Sequence, residues 1–473
     1  MLWLLWIVMS VSAAGLGFAA IWYGGDRSFF LIGKTSSGHH QIELACDTCH
    51  TSVFGGPDLL QNACVQCHGA ELRAANDSHP QTKFTDPRNA ERTAVLDARY
   101  CVTCHREHKP EITQAMGVTL PDDFCFKCHQ DIGKERPSHK DLAFTTCASA
   151  GCHNFHDNRA LYMDFLIAHA KEPDQLKAQK AVLADFLKSR KDAIKVPAAL
   201  TAADADAPEE YRSAAAIEAW TADAHSRSGI NCSGCHTAKD APAVWIAAPE
   251  LATCKGCHAE QARTFVEGKH GMRLREGQFA SRADPLGLFS ERKLTAMTPG
   301  EARLPMKPDK ASLALGCNTC HAPHAYDLNT AKVEACAGCH NDQHSQAYFS
   351  SPHYDLFKNE IAGESPKGSG VSCATCHMPV AETRDAQGQR FHFITHNQND
   401  NLRPNEKMAR SVCMGCHGLQ FTLDSLADPV LVERNFKGRS SVHVESIEWT
   451  QKRIEERRRE RKLKLQQQRS KSN

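Results

Sequence analysis

The chain has 473 residues, only 7% of them aromatic, with a formal charge of +1 and a mean hydropathy of −0.46. A charge so near zero says little about partners, and no nucleic-acid partner is expected. A chain this polar has too few large apolar residues to rest on a side-chain core alone, yet it holds 22 Cys and 26 His, far above ordinary usage.

The N-terminus opens with an apolar run, Leu2 to Tyr23, without a charged residue. A bilayer-crossing helix needs about 20 such residues, and a secretory h-region runs about 7–15. Residues 1–24 are therefore expected to form an N-terminal transmembrane helix in a bacterial inner membrane. The alternative is a cleaved signal peptide, with sites at Ser12-Ala13-Ala14 or Phe18-Ala19-Ala20. No Lys or Arg precedes the run, so charge gives no orientation.

The cysteines come next, and they fall into a repeating phrase. Ten motifs read C-x-x-C-H. They are Cys46/Cys49/His50, Cys64/Cys67/His68, Cys101/Cys104/His105, Cys125/Cys128/His129 and Cys232/Cys235/His236. Further on stand Cys254/Cys257/His258, Cys317/Cys320/His321, Cys336/Cys339/His340, Cys373/Cys376/His377 and Cys413/Cys416/His417. An eleventh is stretched: Cys147-Ala-Ser-Ala-Gly-Cys152-His153. Two thiols at this spacing form thioether bonds to haem vinyl groups, and the adjacent His ligates the iron. Zinc ribbons also use paired cysteines, but they do not require a His after every second Cys. A disulfide framework would leave the eleven histidines unexplained. The expectation is eleven covalent haem c groups, which would supply the apolar bodies that the side chains do not. Attachment of haem c happens on the outer side of the inner membrane, so the haem domains are expected in the periplasm.

Of the 26 His, eleven sit in motifs and fifteen remain, enough to place a second imidazole on every iron. The distal candidates are His39, His40, His79, His108, His139, His156, His225, His270, His324, His344, His353 and His396. His169, His392 and His443 complete the fifteen. His108, His156, His324 and His344 follow an attachment His by three or four residues. Such a residue cannot reach the far face of its own haem, but it can reach a neighbouring iron. Iron with His on both faces has no open position and suits electron transfer.

Five motifs lie between Cys46 and His153, in sequence rich in Pro, Gly and Asp. Residues 39–160 resemble the small multihaem cytochromes of the c3 type, in their motif density, their C-H-x-x-H phrases and the stretched motif. Residues 161–224 are expected as a helical linker region, with helices over Ala160–Ala170 and Gln175–Ile194 from apolar steps of three and four. An Ala/Asp/Pro-rich linker follows from Val196 to Glu209. The last six motifs contain Ser-Pro-His (351–353), Gly-Val-Ser-Cys-Ala-Thr-Cys-His-Met-Pro (370–379) and Thr-His-Asn (395–397). On these phrases, residues 225–436 resemble the hydroxylamine oxidoreductase family. That resemblance implies a mostly helical fold with haems packed in parallel and perpendicular pairs. Residues 444–473 read as a basic C-terminal helix, with ten Lys/Arg against three acidic residues between Gln451 and Asn473. It would suit an intersubunit arm in a homo-oligomer, or contact with anionic lipid. The fold class expected is mainly α with extensive irregular structure, packed around haems.

Resemblance to an enzyme family also implies an open catalytic haem, which would align with Cys254/Cys257/His258, with His270 nearby. Oxidising members of that family cross-link the haem to a Tyr beyond the last motif, and this chain has no Tyr after Tyr354. They also place an Asp-His pair where this chain has Asp309-Lys310. Reduction of a nitrogen oxide or a similar small oxyanion stays as the enzymatic alternative. A quinol dehydrogenase is a further one, with quinol feeding the first cluster, although no Met follows closely after any of the first five attachment His residues. The reading preferred is a membrane-tethered, periplasmic multihaem cytochrome that carries electrons between redox partner proteins.

Overall fold

Short helices joined by irregular segments make up most of the computed structural model. It describes residues 2–23, 28, 31–51, 56–75, 77, 79–114, 117–121, 123–136, 139, 155–156, 163–176, 198–238, 241–275, 294–384, 388–400 and 407–471. The stretched motif at Cys147, Cys152 and His153 and most of the expected helix Gln175–Ile194 lie outside these residues.

The helices that matter most below are α1 (Leu2–Tyr23), α2 (Pro57–Ala74), α3 (Met163–His169), α4 (Ala214–Thr221), α5 (Ala259–Glu267), α6 (Pro352–Ile361), α7 (Leu419–Ala427), α8 (Pro429–Glu433) and α9 (Ser446–Lys471). Helices α2, α6 and α8 each begin with Pro in the first turn, where its missing N–H costs nothing and its fixed φ suits the helix. Two short hairpins accompany them: β1 (Thr237–Ala238) with β2 (Ala241–Trp245), and β3 (Val380–Arg384) with β4 (Arg390–Ile394). Each hairpin opens just after an attachment His, His236 and His377. Sequence reasoning missed both, because a haem motif gives no strand signal.

Helix α1 forms as expected, but the expected bilayer crossing is revised. Among the described residues no helix is long and apolar enough to cross a membrane. What the helix does present is exposed apolar surface, including Leu2, Trp3, Leu4, Leu5 and Trp6.

The stretch read as an Ala/Asp/Pro-rich linker is folded back where it is described. A capped turn at Ala202–Asp204 is fixed by the Asn231 side-chain amide, which donates to the Asp204 carbonyl at 2.5 Å. Ala205 and Ala207 are buried. The segment before it straps the last motif: the amides of Leu176 and Gly418 donate to the carbonyls of Cys416 and Asp174.

Side-chain cores sit late in the chain. Leu166, Met414, Leu419, Leu423 and Ile447 form one cluster. Val333, Tyr348 and Phe357 form a second, and Met408, Ala409 and Leu426 a third. Ile447 pins the first turn of α9 into the first of these, while Leu463 and Leu465 further along stand exposed. The early and late regions meet at a small polar seam. Arg273 donates to the Gln41 carbonyl at 2.6 Å and pairs with Glu301 at 2.9 Å; Arg303 pairs with Glu43 at 3.2 Å, and Lys407 with Glu71 at 3.3 Å.

Candidate functional site

Each C-x-x-C-H phrase folds as one helical turn or its equivalent. The amide of the motif His donates to the carbonyl of the first Cys at His50, His105, His129, His236, His258, His321, His340 and His417, over 2.8–3.0 Å. An i to i+4 bond of this kind puts residues i, i+3 and i+4 on one face. Both sulfurs and the imidazole therefore point the same way. At Cys373–His377 the turn is further fixed by a capping box, with Ser372 and Thr375 bonded reciprocally.

The tertiary structure then brings a second imidazole opposite nine of these motif histidines. In the early region His39 faces His68 (5.8 Å between ring centres), His79 faces His129 (6.1 Å) and His156 faces His105 (6.3 Å). In the late region His324 faces His236 (5.8 Å), His225 faces His258 (6.2 Å) and His396 faces His321 (6.1 Å). His270 faces His340 (6.1 Å), His344 faces His377 (6.1 Å) and His353 faces His417 (6.4 Å). Two ring nitrogens each about 2.0–2.1 Å from one metal, with each ring centre about 1 Å further out, would set the centres about 6 Å apart. The residues thus fit an iron held between two imidazoles. Among the described residues no group of three or more His, Cys, Asp or Glu side chains is arranged to hold a bare metal ion, and the described cysteines are free thiols. Neither a zinc ribbon nor a disulfide framework finds its ligand set there.

The far nitrogens are held in a consistent way. Nδ1 donates to a backbone carbonyl at His79 (Phe155, 2.7 Å), His105 (Gly117, 3.0 Å), His236 (Ile246, 2.7 Å), His344 (Val432, 2.5 Å), His396 (Ile394, 3.0 Å) and His417 (Asp174, 3.0 Å). A proton fixed on Nδ1 leaves the Nε2 lone pair free for a metal. The hairpins serve this purpose, since β2 runs into the Ile246 carbonyl and β4 into His396. At His39 and His225 the Nδ1 partner is instead a carboxylate, Glu107 and Asp223, each at 2.7 Å.

Burial keeps several imidazoles neutral. His270, His353, His377 and His396 are pushed down to about 4, first by desolvation and then by neighbouring positive groups, the facing histidine among them. Neutral imidazole is the metal-binding form. Burial works to raise Glu107, but the bonds from His39 and Ser36 outweigh it and hold the carboxyl at about 2.

Neighbouring motifs abut. The Cys64 thiol is hydrogen-bonded to Cys101, Cys254 to Cys317, and Cys336 to Cys373. A thiol joined to a vinyl group has no S–H, so only the proximity carries over. A cavity of about 460 Å³ lies over Cys101, Cys104 and His105, walled by Val65, Leu72 and Phe124 and edged by Arg73 and Arg99. Its apolar wall with cationic edges suits a flat apolar ring bearing acidic substituents.

The cysteines are not equally enclosed, although the repeated motif leads one to expect eleven equivalent attachment points. Cys49, Cys257 and Cys320 are exposed, while the other described cysteines are half-buried. Cys67 lies half-buried within α2 and Cys128 half-buried at the end of the turn Phe124–Lys127, whereas Cys257 is exposed. The amides of Cys128 and Cys257 close their own turns, onto the Cys125 and Cys254 carbonyls at 3.2 Å each.

The structure places two further candidates. His225 stands opposite His258, the candidate for an open haem. His270 is not beside that motif but opposite His340, because the turn Met272–Leu274 packs on the turn His40–Ile42 of the early region. The remaining candidates are described by other contacts. His40 donates Nδ1 to the Ser37 carbonyl at 3.2 Å, and His108 donates to Gly33 at 2.7 Å from a left-handed backbone, φ 61°. His139 ends a short turn, its amide bonded to the Arg136 carbonyl. His169 pairs with Glu172 at 2.6 Å, His392 with Glu382 at 3.6 Å and His443 with Glu448 at 3.1 Å. Sequence reasoning missed Asp223 and Glu107. Asp223 was discoverable, since Asp223-Ala224-His225 is a helix cap running straight into a ligand candidate; Glu107 gives no such signal.

Residues 38–130 match the family model for cytochrome c3. This match supports a multihaem c-type cytochrome, and with it haem c, iron and electron transport. Comparisons with curated proteins and with solved structures give no match.

Proposed function

We propose that the chain is an electron-transfer protein carrying eleven haem c groups, most or all of them held between two histidines. The observation that supports this reading is the set of nine imidazole pairs spaced 5.8–6.4 Å apart. Haem supplies reversible one-electron chemistry at its iron. The protein's part is to attach it through the cysteine pairs, Cys67, Cys128 and Cys257 included, and cap both faces. It fixes each ring through Nδ1 and keeps successive groups adjacent through the abutting motifs. His108, with its Nδ1 tied to a carbonyl like the other ligands, and His139 are the further distal ligands in this reading. The likeness of residues 225–436 to hydroxylamine oxidoreductases enters as an arrangement of haems and not as an activity. Periplasmic location and association of the apolar surface of α1 with the inner membrane belong to the same proposal.

Intact-mass measurement counts the attached haems, and low-temperature EPR of the oxidised protein reports their ligation. Eleven haems with low-spin signals alone are expected. A high-spin ferric signal that shifts when nitrite or hydroxylamine is added would overturn this in favour of an enzyme with an open iron.

A further inference from the structure

Asp223 is an anomaly in the late region. Its side chain is 0% exposed. One oxygen, Oδ2, accepts from Nδ1 of His225 at 2.7 Å and from the His225 amide at 3.2 Å. The other, Oδ1, is buried with no hydrogen-bond partner among the described residues. A buried carboxylate without a compensating cation costs several kcal/mol on general grounds, so a fold keeps one where a positive centre lies close by. His225 stands between Asp223 and the site it shares with His258, and a ferric iron there would be that centre.

Six other imidazoles of the motif pairs donate Nδ1 to neutral backbone carbonyls, while His156, His68 and His340 have carboxylates at the longer distances of 3.4 Å (Asp77), 3.6 Å (Glu71) and 3.7 Å (Asp342). A carboxylate in that position makes the imidazole a stronger donor to its metal, and an anion close to the iron favours the more highly charged oxidation state. Glu107 takes the same position behind His39, but it is 30% exposed and shares its charge with the Ser36 amide and hydroxyl. Asp223 is the drier and less shared of the two.

We infer that Asp223 sets the redox potential of the iron held by His225 and His258, making it the most easily oxidised centre of the late region. Asp223 is a positioning and tuning residue: it touches the ligand and not the iron. The inference rests on His225 and His258 ligating one iron.

The test is a spectroelectrochemical titration of the full-length holoprotein, comparing Asp223→Asn and Asp223→Glu with the parent. Asp223→Asn keeps an acceptor for the Nδ1 proton and removes the charge. The midpoint potential of one haem component is expected to rise by at least 59 mV, so that its ferric/ferrous ratio at a fixed potential falls at least tenfold. Asp223→Glu keeps the charge and stays close to the parent potential, and Glu107→Gln moves a different component by less. An unchanged titration in Asp223→Asn, with all haems still attached, overturns the inference. So does loss of one haem in both the Asn and Glu variants, which would make the residue purely structural. His225→Ala separates the underlying reading: a new high-spin signal upholds the ligand pair whatever Asp223 does, and an unaltered low-spin spectrum rejects it.

Discussion

The early and late regions solve the same problem with different means. Among the described residues between 38 and 130 the buried apolar side chains reduce to Ala63, and the other buried residues are Gln41, Gln61 and Gly69. The late region, by contrast, builds three apolar clusters around Leu423, Tyr348 and Leu426. Both regions carry the same motif turn and the same facing imidazoles. The early one therefore depends on the attached group for its apolar interior, while the late one has packing of its own. Attachment chemistry and core formation are separable, and this chain separates them along its length.

The largest effect that would sharpen or break this contrast comes from withholding haem, for example by expression without the attachment apparatus. The early region is expected to lose its helical circular dichroism and become protease-sensitive, while fragments containing α7 and the start of α9 resist. Equal resistance of both regions would break the comparison. Next in size is Leu423→Ala in α7, a residue 1% exposed. Large-to-small changes at such sites cost about 2–5 kcal/mol, so the denaturation midpoint of the late region should fall while that of the early region stays in place. A fall in both would mean that the two unfold as one unit.

The smallest effect is one of pH. Asp428 is 3% exposed and accepts from the amides of Ser441, Val430 and Leu431 at 2.8–3.0 Å. Those bonds, Ser441 first, hold its carboxyl down at about 2. It caps α8, whose Val432 carbonyl receives the His344 proton. An unfolded Asp titrates at about 3.9. Because the folded value lies lower, the stabilisation is complete above the unfolded value and is lost as pH falls through about 2. Acid unfolding should therefore show Asp428→Asn weaker than the parent at neutral pH, with the two converging near pH 2. A constant gap across that range would rule out the titration of Asp428 as the cause.

The attachment pattern was legible residue by residue. Cys101, Cys104 and His105 announce their role by spacing alone, because a single helical turn is enough to align them. Spacing says nothing of enclosure, however, and it does not distinguish the exposed Cys257 from the more enclosed Cys254. The helical character of α3 and of the C-terminal arm was also readable, from apolar steps in one and charge density in the other. The hairpin β3–β4 was not, since its use is to carry His396 to His321, a contact spanning 75 residues. The same holds for the folded-back turn at Ala202–Asp204, whose composition reads as a linker until Asn231 bonds it.

What the sequence by itself determined is local: which residues are patterned to bind haem covalently, which imidazole stands beside each pair, and that spare histidines abound. Which spare faces which motif, that His258 is capped by His225 and His270 turned toward His340, only the tertiary structure decided. The physical reason is range. A thioether motif is closed within five residues by one turn of backbone hydrogen bonds, whereas a facing imidazole is delivered by packing between segments far apart in the chain, and no local pattern records its destination.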